Sequence, residues 1–277
     1  MDHPGTNPQK IAVAIIPARY NSTRLPGKPL LPIAGKPLIV HVAEQARRAN
    51  TVSRAIVATD DRRIFEAVTA AGFEAVMTAE KHASGTDRIA EVAQKLETEL
   101  IVNVQGDEPL IDPETIDRAV NALAEDDQAQ MATTWEPLAD VAEVLNPSVV
   151  KVAVDEHGYA ANFSRGPIPF PKQAVTEHGS IEAALEAEPA LLFSLRKHTG
   201  LYAYRREFLL EFATWPRTER ERAESLEQLR ALERGVKIKL VEAASSSIGV
   251  DTAEDLERVR AIVNGPGADQ DQRREVA

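Results

Sequence analysis

The chain has 277 residues, enough for a core of ordinary size and close to the length at which one core divides into two. Its composition is globular, 43% hydrophobic and 27% charged, and a formal net charge of -11 argues against non-specific affinity for nucleic acid or an anionic membrane. The absence of cysteine excludes disulfides, thiolate nucleophiles and Cys-ligated zinc.

Residues 1–9 are polar, and the apolar run Ile11–Ile16 is too short for a signal core or a membrane span, so the expectation is a cytoplasmic protein. That run reads as a first strand. A turn-rich loop follows to Pro37, then a helix over Leu38–Arg48. Ala55–Thr59 is a second strand, Arg62–Ala71 a helix stopped by Gly72, and Glu74–Thr78 a third strand. The loop 79–85 leads into a helix over Thr86–Leu96, and Leu100–Val104 is a fourth strand running into Gln105-Gly106-Asp107-Glu108-Pro109. Asp112-Pro113 opens another helix, with Asp as cap and Pro at the first position.

Past residue 130 the alternation changes. Val149–Val154 and Tyr159–Phe163 flank Glu156-His157-Gly158 as an antiparallel hairpin, and the proline-rich stretch Gly166–Pro171 cannot be a central strand. Lys172–Pro189 is polar and alanine-rich, with room for a short helix. Gly200–Tyr204 reads as a strand, Glu219–Arg234 as one helix stopped by Gly235, Lys237–Val241 as a last strand and Thr252–Val263 as a last helix. The fold class is therefore α/β: a Rossmann-like, mostly parallel mixed sheet flanked by helices, with a smaller antiparallel subdomain. Residues 10–264 are expected to form a single domain, with 10–130 mainly nucleotide-binding, 131–235 a smaller substrate-binding insert, and 236–264 a return to the main sheet. The termini 1–9 and 265–277 are expected to be flexible.

Ligands of an open α/β sheet bind beyond the carboxyl ends of its strands, and several loops leave such ends. The first, Pro17-Ala-Arg-Tyr-Asn-Ser-Thr-Arg-Leu-Pro-Gly-Lys-Pro-Leu, carries Arg19, Arg24 and Lys28 and no acid. Three cations together in an acidic protein suit a polyanion; a solvated basic loop is the plainer alternative, and position after the first strand favours phosphate. It is neither a Walker A loop, since Ser22 stands where that motif needs Gly, nor the dinucleotide Gly-x-Gly-x-x-Gly. Ser84, Gly85 and Thr86 open a helix and suit a phosphate or a base edge as well as they suit ordinary capping. Asp107 follows an apolar strand, and Asp251 precedes the final helix, where it could equally be a cap. If the two carboxylates meet, they form a hard-oxygen site suited to magnesium.

The first loop, continued by Gly35-Lys-Pro-Leu-Ile-Val-His-Val, closely resembles the N-terminal signature of the 3-deoxy-manno-octulosonate (Kdo) cytidylyltransferases. The resemblance runs on through Ile56-Val-Ala-Thr-Asp-Asp, Ser84-Gly-Thr-Asp-Arg and Val102-Asn-Val-Gln-Gly-Asp-Glu-Pro-Leu. Beyond these stand Val150-Lys-Val, Phe163-Ser-Arg, His198-Thr-Gly-Leu-Tyr-Ala-Tyr-Arg, Leu226-Glu-Gln-Leu-Arg and Gly249-Val-Asp-Thr-Ala-Glu-Asp-Leu-Glu, in the family's order over residues 10–263. The stretch Gly166–Leu192 matches loosely, and Ala253 stands where the family often has proline.

The resemblance implies transfer of CMP from CTP to the anomeric hydroxyl of Kdo, with release of pyrophosphate, for lipopolysaccharide synthesis. It implies Arg19 and Lys28 on the triphosphate with Arg24 in support, Ser84, Gly85, Arg88 and Gln105 around the cytidine, and Asp107 and Asp251 on Mg2+. Arg165, His198, Tyr202, Glu227 and Gln228, with Gln105 at the border, would line the sugar-acid site; Arg19, Lys28 and Asp107 would be catalytic. The resemblance implies a homodimer, with 131–235 as a sugar-binding and dimerisation insert, and neither nucleic acid nor membrane as partner. From the residues alone His198 also suits a hydrogen bond to a neighbouring strand, Tyr202 core packing, and Glu227 and Gln228 a solvated helix face. Other cytidylyltransferases, for a sialic-acid-like sugar or a methylerythritol phosphate, and a catalytically silent nucleotide sensor are the rival readings.

Overall fold

The structure, a computed structural model, describes residues 10–21, 24–82 and 84–265. Of the ends expected to be flexible, 1–9 and 265–277, all but Gly265 lie outside the described residues, as do Ser22, Thr23 and Ala83. The chain divides into two compact units, residues 1–117 with 246–277, and residues 118–245.

The first unit begins with β1 (Ala12–Ala18), whose residues are nearly all buried, as a central strand covered on both faces requires. Beyond it, Gly27 at φ 69° turns the chain into a 3-10 turn over Lys28–Leu30, and the short strands β2 (Pro32–Ile33) and β3 (Lys36–Pro37) form a two-residue ribbon. Helix α1 (Leu38–Arg48) buries Leu38, Ile39, Val40, Val42, Ala43 and Ala46, an apolar stripe at helical spacing. There follow β4 (Val52–Thr59), α2 (Arg62–Ala70), β5 (Glu74–Met77), α3 (Gly85–Ala93), β6 (Leu100–Asn103) and α4 (Pro113–Ala124), inside which the chain passes into the second unit. Strands β6, β1, β4 and β5 lie side by side in that order, all parallel. The expected elements are present, with boundaries moved by a few residues; β4 starts at Val52, three residues earlier than its apolar pattern suggests.

The second unit contains β7 (Met131–Pro137), α5 (Val141–Leu145), β8 (Lys151–Val154), β9 (Ala160–Ser164), α6 (Lys172–His178), α7 (Ile181–Ala187), β10 (Arg196–Arg205), α8 (Arg206–Thr214), α9 (Glu219–Glu224), α10 (Gln228–Glu233) and β11 (Ile238–Glu242). β7 pairs with β11 in parallel and with β10 antiparallel, and the expected hairpin β8–β9 is antiparallel and joined to β10. β7, α5 and α8 have no counterpart in the sequence reading, and the polar segment 172–189 holds two helices.

One expectation is corrected. The helix read over Glu219–Arg234 is two helices, broken at Ser225, which takes the left-handed conformation at φ 53°. Arg165 stabilises the break from outside, its guanidinium donating to the carbonyls of Glu224, at 2.6 Å, and Ser225. The chain re-enters the first unit at Ser246 and forms α11 (Ala253–Val263), capped by Thr252 and Asp255. The units divide at 117 and 245, and β11 runs alongside β7 over Met131–Trp135 within the second. No helix of the described residues is long and apolar enough to cross a membrane.

Candidate active site

Within the first unit, loops leave the carboxyl ends of the four parallel strands and the segment before α11 approaches one of them, and one close backbone approach locks the loop after β6 onto β1. Gly106, just past β6, packs so tightly on β1 that a Cβ there would stand 2.5 Å from the Pro17 carbonyl oxygen. Only glycine allows that approach. The next residue is Asp107, whose carbonyl oxygen accepts a hydrogen bond from the Val250 N–H at 2.8 Å, setting Asp251 beside it.

The two carboxylates meet on Lys28. Its ammonium lies 2.7 Å from Asp107 Oδ2 and 3.2 Å from Asp251 Oδ1, and Arg24 reaches the same Asp251 oxygen at 3.0 Å. The lysine side chain is only 13% exposed, while Asp107 and Asp251 are 33% and 44% exposed, so the acids open to solvent around a more enclosed cation. Two carboxylates converging on one positive centre are an arrangement of hard oxygen donors that fits a divalent ion such as magnesium.

Arg19 is held otherwise. Its Nη2 donates to the carbonyl oxygens of His82 and Ser84, at 2.9 and 3.0 Å. That loop is tied down by Glu91 of α3, whose Oε2 accepts from the Ala79 N–H at 2.9 Å and lies 2.6 Å from His82 Nε2. Those contacts hold the Glu91 carboxyl below its usual range, the Ala79 N–H contributing most and His82 next. Glu91 was not legible as a site residue; an acid six residues into a helix carries no signal until the loop folds back on it. Tyr20, next to Arg19, lies under the Arg63 guanidinium, 3.3 Å from the ring centroid, and packs against Gly27.

The capping reading of Ser84 is realised. Its hydroxyl accepts from the Asp87 N–H at 3.1 Å while Asp87 accepts from the Ser84 N–H, a reciprocal box at the start of α3. Gly85 is the first residue of that helix, and Gln105 sits half-buried just ahead of Gly106. Arg88 is fully buried, donating to Asp60 Oδ2 at 2.6 Å and to the Thr78 hydroxyl. Its charged fork thus ties α3 to the ends of β4 and β5 and is spent on that scaffold.

The predicted acceptor residues other than Gln105 fall in the second unit. His198 and Tyr202 lie on β10, in a row of rings: Phe163 edge-on to His198 at 4.9 Å, His198 tilted to Tyr202 at 5.4 Å, and Tyr202 to Tyr204 at 5.8 Å. His198 Nε2 lies 2.9 Å from the Thr133 hydroxyl of β7, the neighbouring-strand bond that its sequence also allowed. Burial pushes the imidazole down to about 3, so the ring is neutral near pH 7. The Tyr202 phenol is driven above its ordinary range by burial, with the Glu227 carboxylate adding to the effect, which places that acid near the ring.

Glu227 stands just ahead of α10, where its carboxylate accepts from Arg230 Nη2 at 2.7 Å rather than capping the helix, and Gln228, the first residue of α10, is buried; the break at Ser225 removes both from the helix face assumed for them. Arg165 spends its donors on backbone carbonyls, including that of Pro147 at 2.9 Å. Beside it lies Lys151, fully buried on the carbonyls of Asn146, Val149 and Arg165, its ammonium shifted down by burial first and by the Arg165 charge next. Lys151 was not singled out from sequence, since a lysine in a strand ordinarily faces water.

The fold and these loops belong to a nucleotidyltransferase class: a family model described as cytidylyltransferase matches residues 13–238. Within that class, a 3-deoxy-manno-octulosonate cytidylyltransferase of Trichlorobacter lovleyi is 50% identical over 248 residues, covering 90% of this chain and 96% of that protein. One of Geobacter sulfurreducens is 52% identical over 246 residues, covering 89% and 96%. The solved structure of a CMP:2-keto-3-deoxy-manno-octonic acid synthetase complexed with CTP superimposes with a TM-score of 0.81 at 42% identity, over 91% of this chain and 98% of that one. The chain belongs to the 3-deoxy-manno-octulosonate cytidylyltransferase family.

Proposed function

We infer that this protein transfers CMP from CTP to the anomeric hydroxyl of Kdo, giving CMP-Kdo and pyrophosphate, with magnesium as its metal. The observation that carries the reading is the convergence of Lys28, Asp107 and Asp251 at 2.7 and 3.2 Å beside a loop rich in cations. The similarity to relatives that carry this activity in their names, over about nine-tenths of the chain, supports the choice of acceptor.

In the reaction the anomeric oxygen forms a bond to the α-phosphorus, the α–β phosphoanhydride bond breaks, pyrophosphate departs and the hydroxyl proton is lost. Such a displacement needs positioning and charge neutralisation more than a covalent intermediate, which suits a chain without cysteine. Arg19, Arg24 and Lys28 bind the triphosphate and stabilise charge growing on its non-bridging and leaving oxygens. Asp107 and Asp251 would hold the magnesium ion, which when bound supplies Lewis-acid polarisation of phosphoryl oxygens. Ser84, Gly85 and Gln105 border the cytidine, and Arg88 positions their loop from below. His198, Tyr202, Glu227, Gln228 and Arg165 hold the sugar acid. Because His198 is so weak a base, its part is that of a neutral hydrogen-bonding partner, and the hydroxyl proton goes elsewhere.

The protein acts as a cytoplasmic homodimer in lipopolysaccharide synthesis; Phe193 at 86% and Phe170 at 56% exposure offer apolar surface for a partner. The test is pyrophosphate release with CTP and magnesium across Kdo, a sialic acid and methylerythritol phosphate. Kdo alone is expected to support turnover. Asp107→Asn and Asp251→Asn should each lower kcat about 10²-fold or more at an unchanged unfolding midpoint. Equal rates with another acceptor would reassign the substrate, and CTP binding without turnover on any acceptor would make the protein a sensor.

A further inference from the structure

The two acids assigned to the metal are already neutralised by the chain itself. Asp107 and Asp251 carry two negative charges, and Lys28 and Arg24 bring two positive ones into direct contact with them. Both cations stand on the loop that receives the triphosphate, and Lys28 is held there by local geometry: Gly27 in the left-handed conformation before it and buried Pro29 after it. A divalent ion arriving alone must therefore displace an enclosed ammonium from both carboxylates, and the displaced cations, tethered to the same loop, stay close enough to repel it. A nucleoside triphosphate removes the obstacle, because its oxygens offer Lys28 and Arg24 better anionic partners and free the carboxylates at the same moment.

We propose that Lys28 is a built-in competitor for the metal position, so that this site takes its divalent ion together with the triphosphate and excludes it from the free protein. The proposal rests on the reading of Asp107 and Asp251 as metal ligands and adds to it an order: nucleotide and ion enter as one complex, and Lys28 moves from acid to phosphate as they do. It also explains why a residue needed for phosphate binding lies 2.7 Å from a carboxylate rather than out in solvent.

The test is Mn2+ binding to the full-length protein without nucleotide, by calorimetry and by the loss of the free-ion electron paramagnetic resonance signal. Lys28→Gln should bind Mn2+ about tenfold more tightly than the wild type, even though it binds CTP more weakly. Adding CTP to the wild type should restore tight Mn2+ binding. Lys28→Met, which keeps the aliphatic stem, serves should the Gln variant fold poorly. Introducing Asp107→Asn into Lys28→Gln should abolish the gain. Equal or weaker Mn2+ affinity in both Lys28 variants overturns the proposal, as does a gain that survives Asp107→Asn. Neither result bears on acceptor choice, which the pyrophosphate assay decides separately.

Discussion

The His198 imidazole lies edge-on to Phe163 and within 2.9 Å of the Thr133 hydroxyl, and those neighbours decide its chemistry more than its residue type does. A histidine in an unfolded chain titrates near pH 6.5, whereas this one is pushed down to about 3 by burial. The native state therefore takes up no proton on His198 while the unfolded state does, so its contribution to stability is full above about pH 6.5 and is lost as pH falls toward 3. In urea titrations between pH 7.5 and 4, the wild type should lose stability faster than His198→Asn, narrowing the gap between them; parallel curves would show that burial does not control this ring. Arg88 and Lys151 carry the same lesson. Their charges were legible, but the burial that makes one a scaffold tie and the other a carbonyl-bound cation was not.

At the scale of elements, the first unit was largely readable because its strands are continuous apolar runs and its helices carry clear stripes and stops. Helix α1 begins and ends where its pattern predicts. The loop geometry depends on smaller features. Gly106→Ala would press a Cβ against the Pro17 carbonyl, which is backbone and cannot rotate away. The expected cost is about 1–3 kcal/mol of stability, with a fall in kcat because Asp107 moves with its neighbour; an unaltered denaturation curve and rate would show that β1 and β6 yield freely. Segments with mixed signals were missed. Met131–Pro137 is a strand buried along most of its length, yet its threonines and Glu136 hide it. Glu219–Arg234 has no interior glycine or proline, so nothing local announces the break at Ser225. Arg165, some sixty positions earlier in the chain, meets the carbonyls there.

For the whole molecule, the relevant contrast is between a net charge of -11 and the cationic loop proposed to bind the triphosphate. Binding limited to the folded state raises its stability by mass action, so CTP with magnesium at about 100 times its dissociation constant should add about 2.7 kcal/mol to the unfolding free energy. Measured by chemical denaturation, the gain should shrink in Lys28→Ala at the same ligand concentration; an equal gain there would place the triphosphate away from Lys28.

The amino-acid sequence by itself determined the α/β class, the strand-end loops, the cations at 19, 24 and 28 and the acids at 107 and 251, since strand periodicity and loop chemistry are local properties. Which cation meets which acid was decided only in three dimensions. The N–H of Val250 had to find the carbonyl of Asp107, and Gly106 had to admit β1, before Lys28 could lie between carboxylates separated by 144 positions in the chain (251 minus 107). Contacts of that span depend on how the strands and loops pack, and no window of neighbouring residues contains them.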